Sequence, residues 1–336
     1  MALDVLQPVP RRRRRRRYRA GRLAAIALLT AGAAAVGVYV GTRHVGSERA
    51  PRAARVHSAS AAVPAPPPPR VAVRPAQPLQ LLSGPPLLRT HVPVTASSAI
   101  VVDADTGRVV YALRAHVRRP IASTTKIMTA VVALQRLAPR RLVTVDRSAP
   151  RVPLVKEGLR AGERVRAWKL FYGLLLYSGN DDALALAIAA AGSRARFVGL
   201  MNDEAKRLGL RDSHFRSPSG VEDADNYSSA WDLAALTRVA LGDARFRTIV
   251  RTRIRKVPWS APTFAKIYVN KNLLLGRYRG ADGVKTGFTT KAGHCLVASA
   301  TRDGVSLIAV VLHSRDQYAD ARRLLDRGFR AVAGRG

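Results

Sequence analysis

Two apolar segments near the C-terminus alternate in the manner of β-strands and are separated by Asp-Gly, which favours a hairpin. They read HCLVASATR, residues 294–302, and VSLIAVVLH, residues 305–313. A similar segment with its own Asp/Gly turn, SAIVVDADTGRVVYAL, occupies residues 98–113. Apolar side chains at helical spacing mark four other segments, residues 122–137, 167–177, 182–191 and 318–329. Strands from both ends that enclose a helical middle predict an α+β fold, with one antiparallel sheet flanked by helices and an inserted helical subdomain.

The N-terminal segment has the pattern of a topology signal followed by a membrane span. Residues 11–17 are all arginine and precede an apolar stretch, residues 23–40, that only Thr30 and Tyr39 interrupt. At about 1.5 Å per residue this stretch reaches about 27 Å, marginally enough to cross a hydrocarbon core of about 30 Å. Because clustered arginines stay on the cytoplasmic side, we predict a basic cytoplasmic N-terminus at residues 1–22 and a transmembrane anchor at residues 23–41. A secretory signal cleaved near AGAAA is the alternative.

The composition changes again after the apolar stretch. Residues 42–93 are rich in Ala, Pro, Arg and Ser and include the run VPAPPPPR. Such a segment cannot bury enough apolar surface to fold, and it favours extended polyproline geometry. We therefore predict a linker at residues 42–93 and one folded domain at residues 94–336, outside the membrane.

The chain is strongly basic, with 57 Lys and Arg against 22 Asp and Glu and a net charge of +35. The arginines are scattered through every segment, without zinc-finger cysteines or a basic helix that carries heptads. This pattern indicates a solvated basic surface attracted to anionic surfaces in general, and no nucleic-acid partner. The single cysteine, Cys295, excludes an intrachain disulfide and a cysteine-rich metal site, and we predict that it is a core residue.

A Ser-x-x-Lys motif in PIASTTKIMTA points to chemistry. Lysine is scarce here, yet Lys126 follows Ser123 by three positions, so on a helix the two side chains project from one face. Unlike arginine, a desolvated lysine can lose its proton and act as a base toward a serine nucleophile. If Ser123 begins the helix, its N–H also points toward an oxyanion on the attacked carbon. The pair alone is also compatible with an ordinary helix cap.

Two further motifs follow in a fixed order. Ser178 and Asn180 lie in YSGND between two helical segments, and Lys285, Thr286 and Gly287 lead into the final strands. Each motif alone is commonplace, since a turn or a strand end would explain it. Ser-x-x-Lys, Ser-x-Asn and Lys-Thr-Gly in this order are together typical of penicillin-binding proteins and β-lactamases with an active-site serine.

With these motifs the chain resembles the serine-type D-alanyl-D-alanine carboxypeptidases, the low-molecular-mass penicillin-binding proteins, over residues 98–329. The resemblance extends to SGNDDALALA, HFRSPSGVEDADNYSSAWDLAAL and VNKNLLLGRYRGADGVKTGFTTKAGHCLVASA. It implies a β-lactamase/transpeptidase-like fold, with residues 94–336 as the catalytic domain. The family usually has Asn before the proline of PSG, whereas Ser217 precedes Pro218 here, which affects the expected contacts at the cleft edge. Only AVAGRG follows the last helix, so we expect a catalytic domain anchored from its N-terminus.

The resemblance implies a role for each motif residue. Ser123 would attack the carbonyl between two D-alanines to form an acyl-enzyme, Lys126 would be its base, and Ser178 would relay a proton to the departing D-alanine. Five residues would bind substrate. Asn180 would hold peptide amides, and Lys285 and Thr286 would hold the terminal carboxylate. Gly287 and Phe288 would lie beside them, and the N–H groups of Phe288 and Ser123 would form the oxyanion hole. We also expect the Lys285 ammonium to help keep Lys126 neutral.

The expected partners are peptidoglycan stem peptides, β-lactams as covalent inhibitors of Ser123, and the membrane through the N-terminal segment. No cofactor or metal is expected. A D,D-endopeptidase that cleaves cross-links uses the same motifs and stays an alternative. A β-lactamase is disfavoured, because the Glu-x-x-Leu-Asn segment that would activate the deacylating water is absent. A catalytically silent basic wall-binding protein is a further alternative.

Four other polar residues could be mistaken for catalytic groups. His214 and His294 have neither metal-ligand spacing nor a clustered carboxylate beside them, and we predict structural roles for both. Asp103 and Asp105 lie in DADTG and are predicted to form a turn.

Overall fold

The structure is a computed structural model that describes residues 81–221, 225–259 and 264–334. The predicted cytoplasmic segment at 1–22, the predicted anchor at 23–41 and the predicted linker as far as residue 80 lie outside these residues. Within the described ranges, no single helix is long and apolar enough to cross a membrane. The helix pair Asn180–Ala191 and Arg194–Arg207 meets the length and composition criteria only jointly, across a bend of 85°.

The described residues form eleven strands and seven α-helices. The strands are β1 Ser98–Asp103, β2 Val109–Leu113, β3 Arg119–Pro120, β4 Leu142–Thr144, β5 Arg164–Arg166, β6 Tyr227–Ser228, β7 Ile254–Val257, β8 Lys266–Val269, β9 Ala281–Thr289, β10 Gly293–Arg302 and β11 Val305–Ser314. The helices are α1 Lys126–Arg136, α2 Ala167–Tyr172, α3 Asn180–Ala191, α4 Arg194–Arg207, α5 Ala230–Gly242, α6 Ala244–Val250 and α7 Gln317–Ala333.

The main sheet has five antiparallel strands in the order β2-β1-β11-β10-β9. Strands from both ends of the domain therefore meet at its centre, and the predicted hairpin is confirmed by β10 and β11. Because alternate side chains of a strand point to opposite faces, β1 contributes to two cores. Ile100 and Val102 pack in the core that holds α1, α3 and α5, and Val101 packs in the core that holds α7. Helices thus cover both faces of the sheet, as predicted.

Two predicted helices are divided in the structure. The segment predicted at 122–137 begins as a 3₁₀ turn, Ala122–Thr125, and continues as α1. The segment predicted at 167–177 consists of α2 followed by a π turn, Gly173–Tyr177. Both changes of helical geometry lie beside motif residues, where such irregularities are often found.

Residues 81–93, assigned to the linker by composition, lie against the sheet. The Leu82 N–H donates to the Gly107 carbonyl at 2.9 Å, and the Leu88 N–H donates to the Val110 carbonyl at 2.8 Å. The side chains of Leu81 and Val92 are buried. The edge of β2 offers backbone groups that need partners, so this chain packs against it despite its prolines. The packed part of the domain therefore begins before residue 94.

Candidate active site

The 3₁₀ turn before α1 holds Ser123 next to the edge strand β9. Ala122, just before Ser123, has a positive φ of 46°, a region that residues with a Cβ seldom occupy. Lys126 is the first residue of α1, and its Nζ lies 3.0 Å from Ser123 Oγ. The spacing of three therefore brings the predicted nucleophile and base into hydrogen-bond contact.

Lys126 is fully buried, and two oxygens besides that of Ser123 accept hydrogen bonds from it. Its Nζ donates to Asn180 Oδ1 at 2.8 Å and to the Ser219 carbonyl at 2.9 Å. The sequence analysis did not identify Ser219, since it acts through its backbone. The glycine of the PSG segment is the signal that could have found it: Gly220 has a φ of +77°, and a Cβ there would lie 2.1 Å from the Ala122 carbonyl oxygen.

The second motif is held by the π turn and by a neighbouring loop. Ser178 ends the turn in a left-handed conformation with a φ of 73°, and its side chain is buried. Asn180 begins α3, where its N–H donates to the Val155 carbonyl at 2.8 Å and its Nδ2 to the Pro153 carbonyl at 2.9 Å. Asn180 thus connects Lys126 to the loop at residues 153–159.

Asp181 fixes the same loop from α3. Its buried carboxylate accepts the N–H groups of Glu157 at 2.8 Å, Gly158 at 2.8 Å and Leu159 at 3.1 Å. Three donors on one carboxylate give the loop a defined conformation, because charge-assisted hydrogen bonds are stronger than neutral ones. The sequence motif ends at Asn180 and gave no role to Asp181.

The third motif lies on β9, next to Ser123. A Cβ on Gly287 would lie 3.0 Å from the Ile121 carbonyl oxygen and 3.1 Å from the Ser123 nitrogen, so the strand and the turn approach closely because this residue is glycine. Thr286 is half-buried beside it. The Phe288 side chain is 59% exposed, and its ring centroid lies 4.6 Å from that of His294.

Lys285, on β9, is a second buried lysine, and its Nζ donates to the Thr286 carbonyl at 3.0 Å. Burial lowers the pKa of Lys285 well below its ordinary value, and the charges of Lys126 and Lys271 lower it further. The two motif lysines are therefore close enough to influence each other electrostatically. The predicted reverse effect, of Lys285 on the protonation of Lys126, stays a prediction.

The other polar residues considered in the sequence analysis contact turns, backbone or core side chains. The His214 backbone pairs with Tyr227 in both directions, at 2.9 and 3.1 Å, and the His294 ring packs against Phe288 in a tilted arrangement. Asp103 Oδ1 accepts the N–H groups of the two residues after Ala104, as a turn former would. Cys295 is buried, and burial raises its pKa to about 11. In the described part of the chain, no three His, Cys, Asp or Glu side chains are grouped to hold a metal.

Ser217, which departs from the family pattern, is buried inside its own turn. The Gly220 N–H donates to Ser217 Oγ at 3.1 Å, and the Ser217 N–H donates to Asn226 Oδ1 at 3.0 Å. Asn226 Nδ2 returns a hydrogen bond to the Ser217 carbonyl at 2.9 Å and reaches Thr125 Oγ1 at 3.3 Å. The serine therefore supports the turn that carries the Ser219 carbonyl.

Comparisons with known proteins agree with this geometry. A family profile described as D-alanyl-D-alanine carboxypeptidase matches residues 87–316. The D-alanyl-D-alanine carboxypeptidase of Streptomyces sp. strain K15 is 35% identical over 263 residues, which cover 71% of this chain and 89% of that protein. DacF of Bacillus subtilis strain 168, a D-alanyl-D-alanine carboxypeptidase, is 33% identical over 70% of this chain, but the match spans only 62% of DacF.

Solved structures give the same result for the fold. The crystal structure of the Streptomyces K15 DD-transpeptidase superposes with a TM-score of 0.68 at 34% identity, covering 72% of this chain and 99% of that one. A D-alanyl-D-alanine carboxypeptidase from Mycobacterium tuberculosis H37Rv superposes with a TM-score of 0.67 at 32% identity, covering 72% and 95%. The fold is the predicted β-lactamase/transpeptidase-like α+β fold, and the chain belongs to the D-alanyl-D-alanine carboxypeptidase family.

Proposed function

We propose that this chain is a serine D-alanyl-D-alanine carboxypeptidase that removes the terminal D-alanine from peptidoglycan stem pentapeptides through an acyl-enzyme on Ser123. One observation carries the proposal: the buried Lys126 Nζ contacts Ser123 Oγ while two other oxygens, Asn180 Oδ1 and the Ser219 carbonyl, accept from it.

These three contacts suit a base. A lysine ammonium has three N–H donors, and a neutral amine keeps two of them and a lone pair. The Asn180 and Ser219 oxygens can only accept, so they take the two remaining N–H bonds of a neutral Lys126. The lone pair is then directed at Ser123 Oγ, whose O–H can donate. The surroundings thus orient Lys126 to receive the proton of Ser123.

Acylation and deacylation would follow one another on Ser123. Ser123 Oγ attacks the carbonyl carbon between the two D-alanines, and its proton passes to Lys126. The N–H groups of Ser123 and Phe288 would stabilise the resulting oxyanion, each by roughly 3 to 4 kcal/mol by analogy with other acyl-transfer enzymes. The C–N bond then breaks, and D-alanine leaves with the proton that Lys126 took from Ser123, relayed through Ser178. Water hydrolyses the ester and releases the shortened peptide.

Substrate binding is assigned to the second and third motifs. Lys285 and Thr286 would bind the terminal carboxylate, while Gly287 allows β9 to lie close to Ser123. Asn180 would hold a peptide amide through the donor that its bond to Pro153 leaves over. β-Lactams imitate the D-alanyl-D-alanine terminus, so we expect them to acylate Ser123.

We also propose that the protein works at the outer face of the bacterial membrane, held by residues 23–41 or secreted to the wall after cleavage there. The apolar stretch and the preceding arginines support this location. Its partners would be the membrane and wall peptides, and no nucleic acid.

The test is mass spectrometry of two muropeptides incubated with the full-length protein, an uncross-linked pentapeptide and a D,D-cross-linked dimer, with Ser123→Ala as control. Loss of one alanine from the pentapeptide is the expected result. Conversion of the dimer to monomers would reassign the protein as an endopeptidase. If neither substrate changes, the enzymatic proposal is wrong and a silent wall-binding protein becomes the better explanation.

Transfer of the acyl group to an amine instead of water is a second candidate, because a solved relative is named as a DD-transpeptidase and is covered over 99% of its length. The same incubation with an added D-amino acid distinguishes the two fates. A product in which the added amino acid replaces D-alanine indicates transfer, and a product one alanine shorter indicates hydrolysis.

A further inference from the structure

A pair of acidic side chains is buried directly behind the Ser-x-Asn motif. Asp182, in the first turn of α3, is fully buried, and the Glu157 side chain is 1% exposed. Lys266 Nζ, from β8, donates to Glu157 Oε1 at 2.6 Å. Among the residues that the structure describes, Glu157 Oε2, both Asp182 oxygens and the neighbouring Tyr268 hydroxyl have no hydrogen-bond partner. Buried carboxylate oxygens without donors are costly.

Two of the unpaired oxygens, one from each carboxyl group, border the same small space. A Cβ built on Gly173 would lie 2.2 Å from Glu157 Oε2 and 2.3 Å from Asp182 Oδ2, so both oxygens border the space that this glycine leaves open. A Cβ on Gly179, inside the motif, would lie 2.0 Å from Asp182 Oδ2. Two carboxyl groups at such short range retain a proton between them, because like charges in a low-dielectric site cannot both ionise.

The charges around the pair favour one proton on Asp182. The groups that face Asp182 are Glu157 in the loop, Asp181 on α3, and Lys266 and Tyr268 on β8. Asp181 is already occupied by backbone N–H groups, and the Lys266 ammonium balances Glu157. Burial, then the charges of Glu157 and Asp181, raise the pKa of Asp182 well above its ordinary value of 3.8.

The pair lies where it can affect the active site. Glu157 belongs to the loop whose Pro153 and Val155 carbonyls hold Asn180. Asp182 lies two residues after Asn180, and its Oδ2 lies beside Gly179. The Gly179 N–H donates to the Gly173 carbonyl at 3.1 Å. A bond between Asp182 and Glu157 therefore fastens the loop, the π turn and α3 together at Ser178 and Asn180.

We propose that Asp182 keeps its proton and donates an O–H hydrogen bond to Glu157, and that this acid pair is a positioning device for Ser178 and Asn180. Neither residue touches the reacting atoms. Loss of the proton places two carboxylates face to face, and their repulsion separates the loop from α3. The inference about positioning rests on the proposed function, whereas the shared proton stands on the geometry alone.

Three variants of the full-length protein test the proposal. Asp182→Asn keeps a donor toward Glu157 but cannot ionise, and Asp182→Leu keeps a similar volume without any donor. Asp303→Asn, at a position whose side chain is 83% exposed, is the matched control for loss of one carboxylate. The first measurement is the infrared carbonyl stretch of a protonated carboxylic acid at neutral pH. The band should be present in the wild type and the Asp303 variant and missing from the Asp182 variants.

The second measurement is the rate of acylation by a fluorescent penicillin as a function of pH. Asp182→Asn should acylate within about two-fold of the wild type at neutral pH. At any alkaline pH where the wild-type infrared band disappears, the ratio of wild-type to variant rate should fall by about five-fold. Asp182→Leu should lose about ten-fold in the limiting acylation rate with little change in the penicillin concentration for half-saturation.

The outcomes are separable. A missing band in the wild type overturns the proposal, as does a rate ratio that stays constant over a pH range in which the wild-type band disappears. If Asp182→Leu does not fold, the band and the Asp182→Asn profile still decide it. If penicillin does not acylate even the wild type, the proposed function fails. The band, and the pH dependence of thermal stability in Asp182→Asn, then decide the shared proton by themselves.

Discussion

Replacing Gly287 by alanine tests whether close packing of β9 against the Ser123 turn sets the geometry of the active site. The added Cβ would meet three backbone atoms, the Ile121 oxygen at 3.0 Å, the Ser123 nitrogen at 3.1 Å and the Thr124 nitrogen at 3.2 Å. Backbone atoms cannot rotate away as a side-chain end can, so the strand and the turn must separate by a few tenths of an ångström.

That separation moves the two proposed oxyanion donors apart. Misplacement by about 1 Å can cost on the order of 100-fold in rate, so a shift of a few tenths of an ångström should slow acylation by about four-fold, equivalent to about 0.8 kcal/mol of barrier. The assay is the second-order rate constant for acylation by a fluorescent penicillin, with the melting temperature measured in parallel.

Gly199→Ala is the matched control, because a Cβ at Gly199 in α4 would have no neighbour within 4 Å. We expect this variant to acylate at the wild-type rate and to be as stable as the wild type or slightly more so. If Gly287→Ala acylates within two-fold of the wild type, the strand and turn tolerate the methyl group, and the reasoning about their approach is wrong.

Three other substitutions test the site. Lys126→Arg should slow acylation by about 100- to 10,000-fold although it keeps the charge, because a guanidinium cannot accept the serine proton. Mass spectrometry of the penicillin adduct over time measures the rate, and adduct formation at the wild-type rate would exclude Lys126 as the base. Asp181→Ala should lower the free energy of unfolding by about 2 to 4 kcal/mol, since three loop N–H groups lose their acceptor; urea unfolding checks it, and an unchanged midpoint would contradict it. The pKa of Lys285 is lowered, so its charge is present below that pKa and is lost as pH rises through it. The KM for the pentapeptide should therefore rise at a lower pH than it would with an ordinary lysine. In Lys285→Arg the rise should disappear, and an identical KM profile in both proteins would show that Lys285 does not bind the carboxylate.

Much of the fold follows from local patterns in the sequence. Alternation in 294–313 around Asp-Gly specifies a hairpin because the side-chain period of a strand is two and the turn residues allow it to reverse. The Ser123 and Lys126 spacing specifies their contact because residues three apart share a helix face. Both features depend on neighbours in sequence, so they were predicted correctly without the structure.

The structure adds what depends on contacts between distant segments. The Ser219 carbonyl at Lys126 could not be identified from side-chain types, because every residue carries a carbonyl and only packing selects one. The meeting of Asp182 and Glu157 beside Gly173, and the packing of residues 81–93 on β2, likewise follow from tertiary approach. The sequence by itself determined which side chains are proposed for the chemistry. The tertiary structure decided which backbone groups and buried charges hold them in place, because those interactions join residues far apart in the chain.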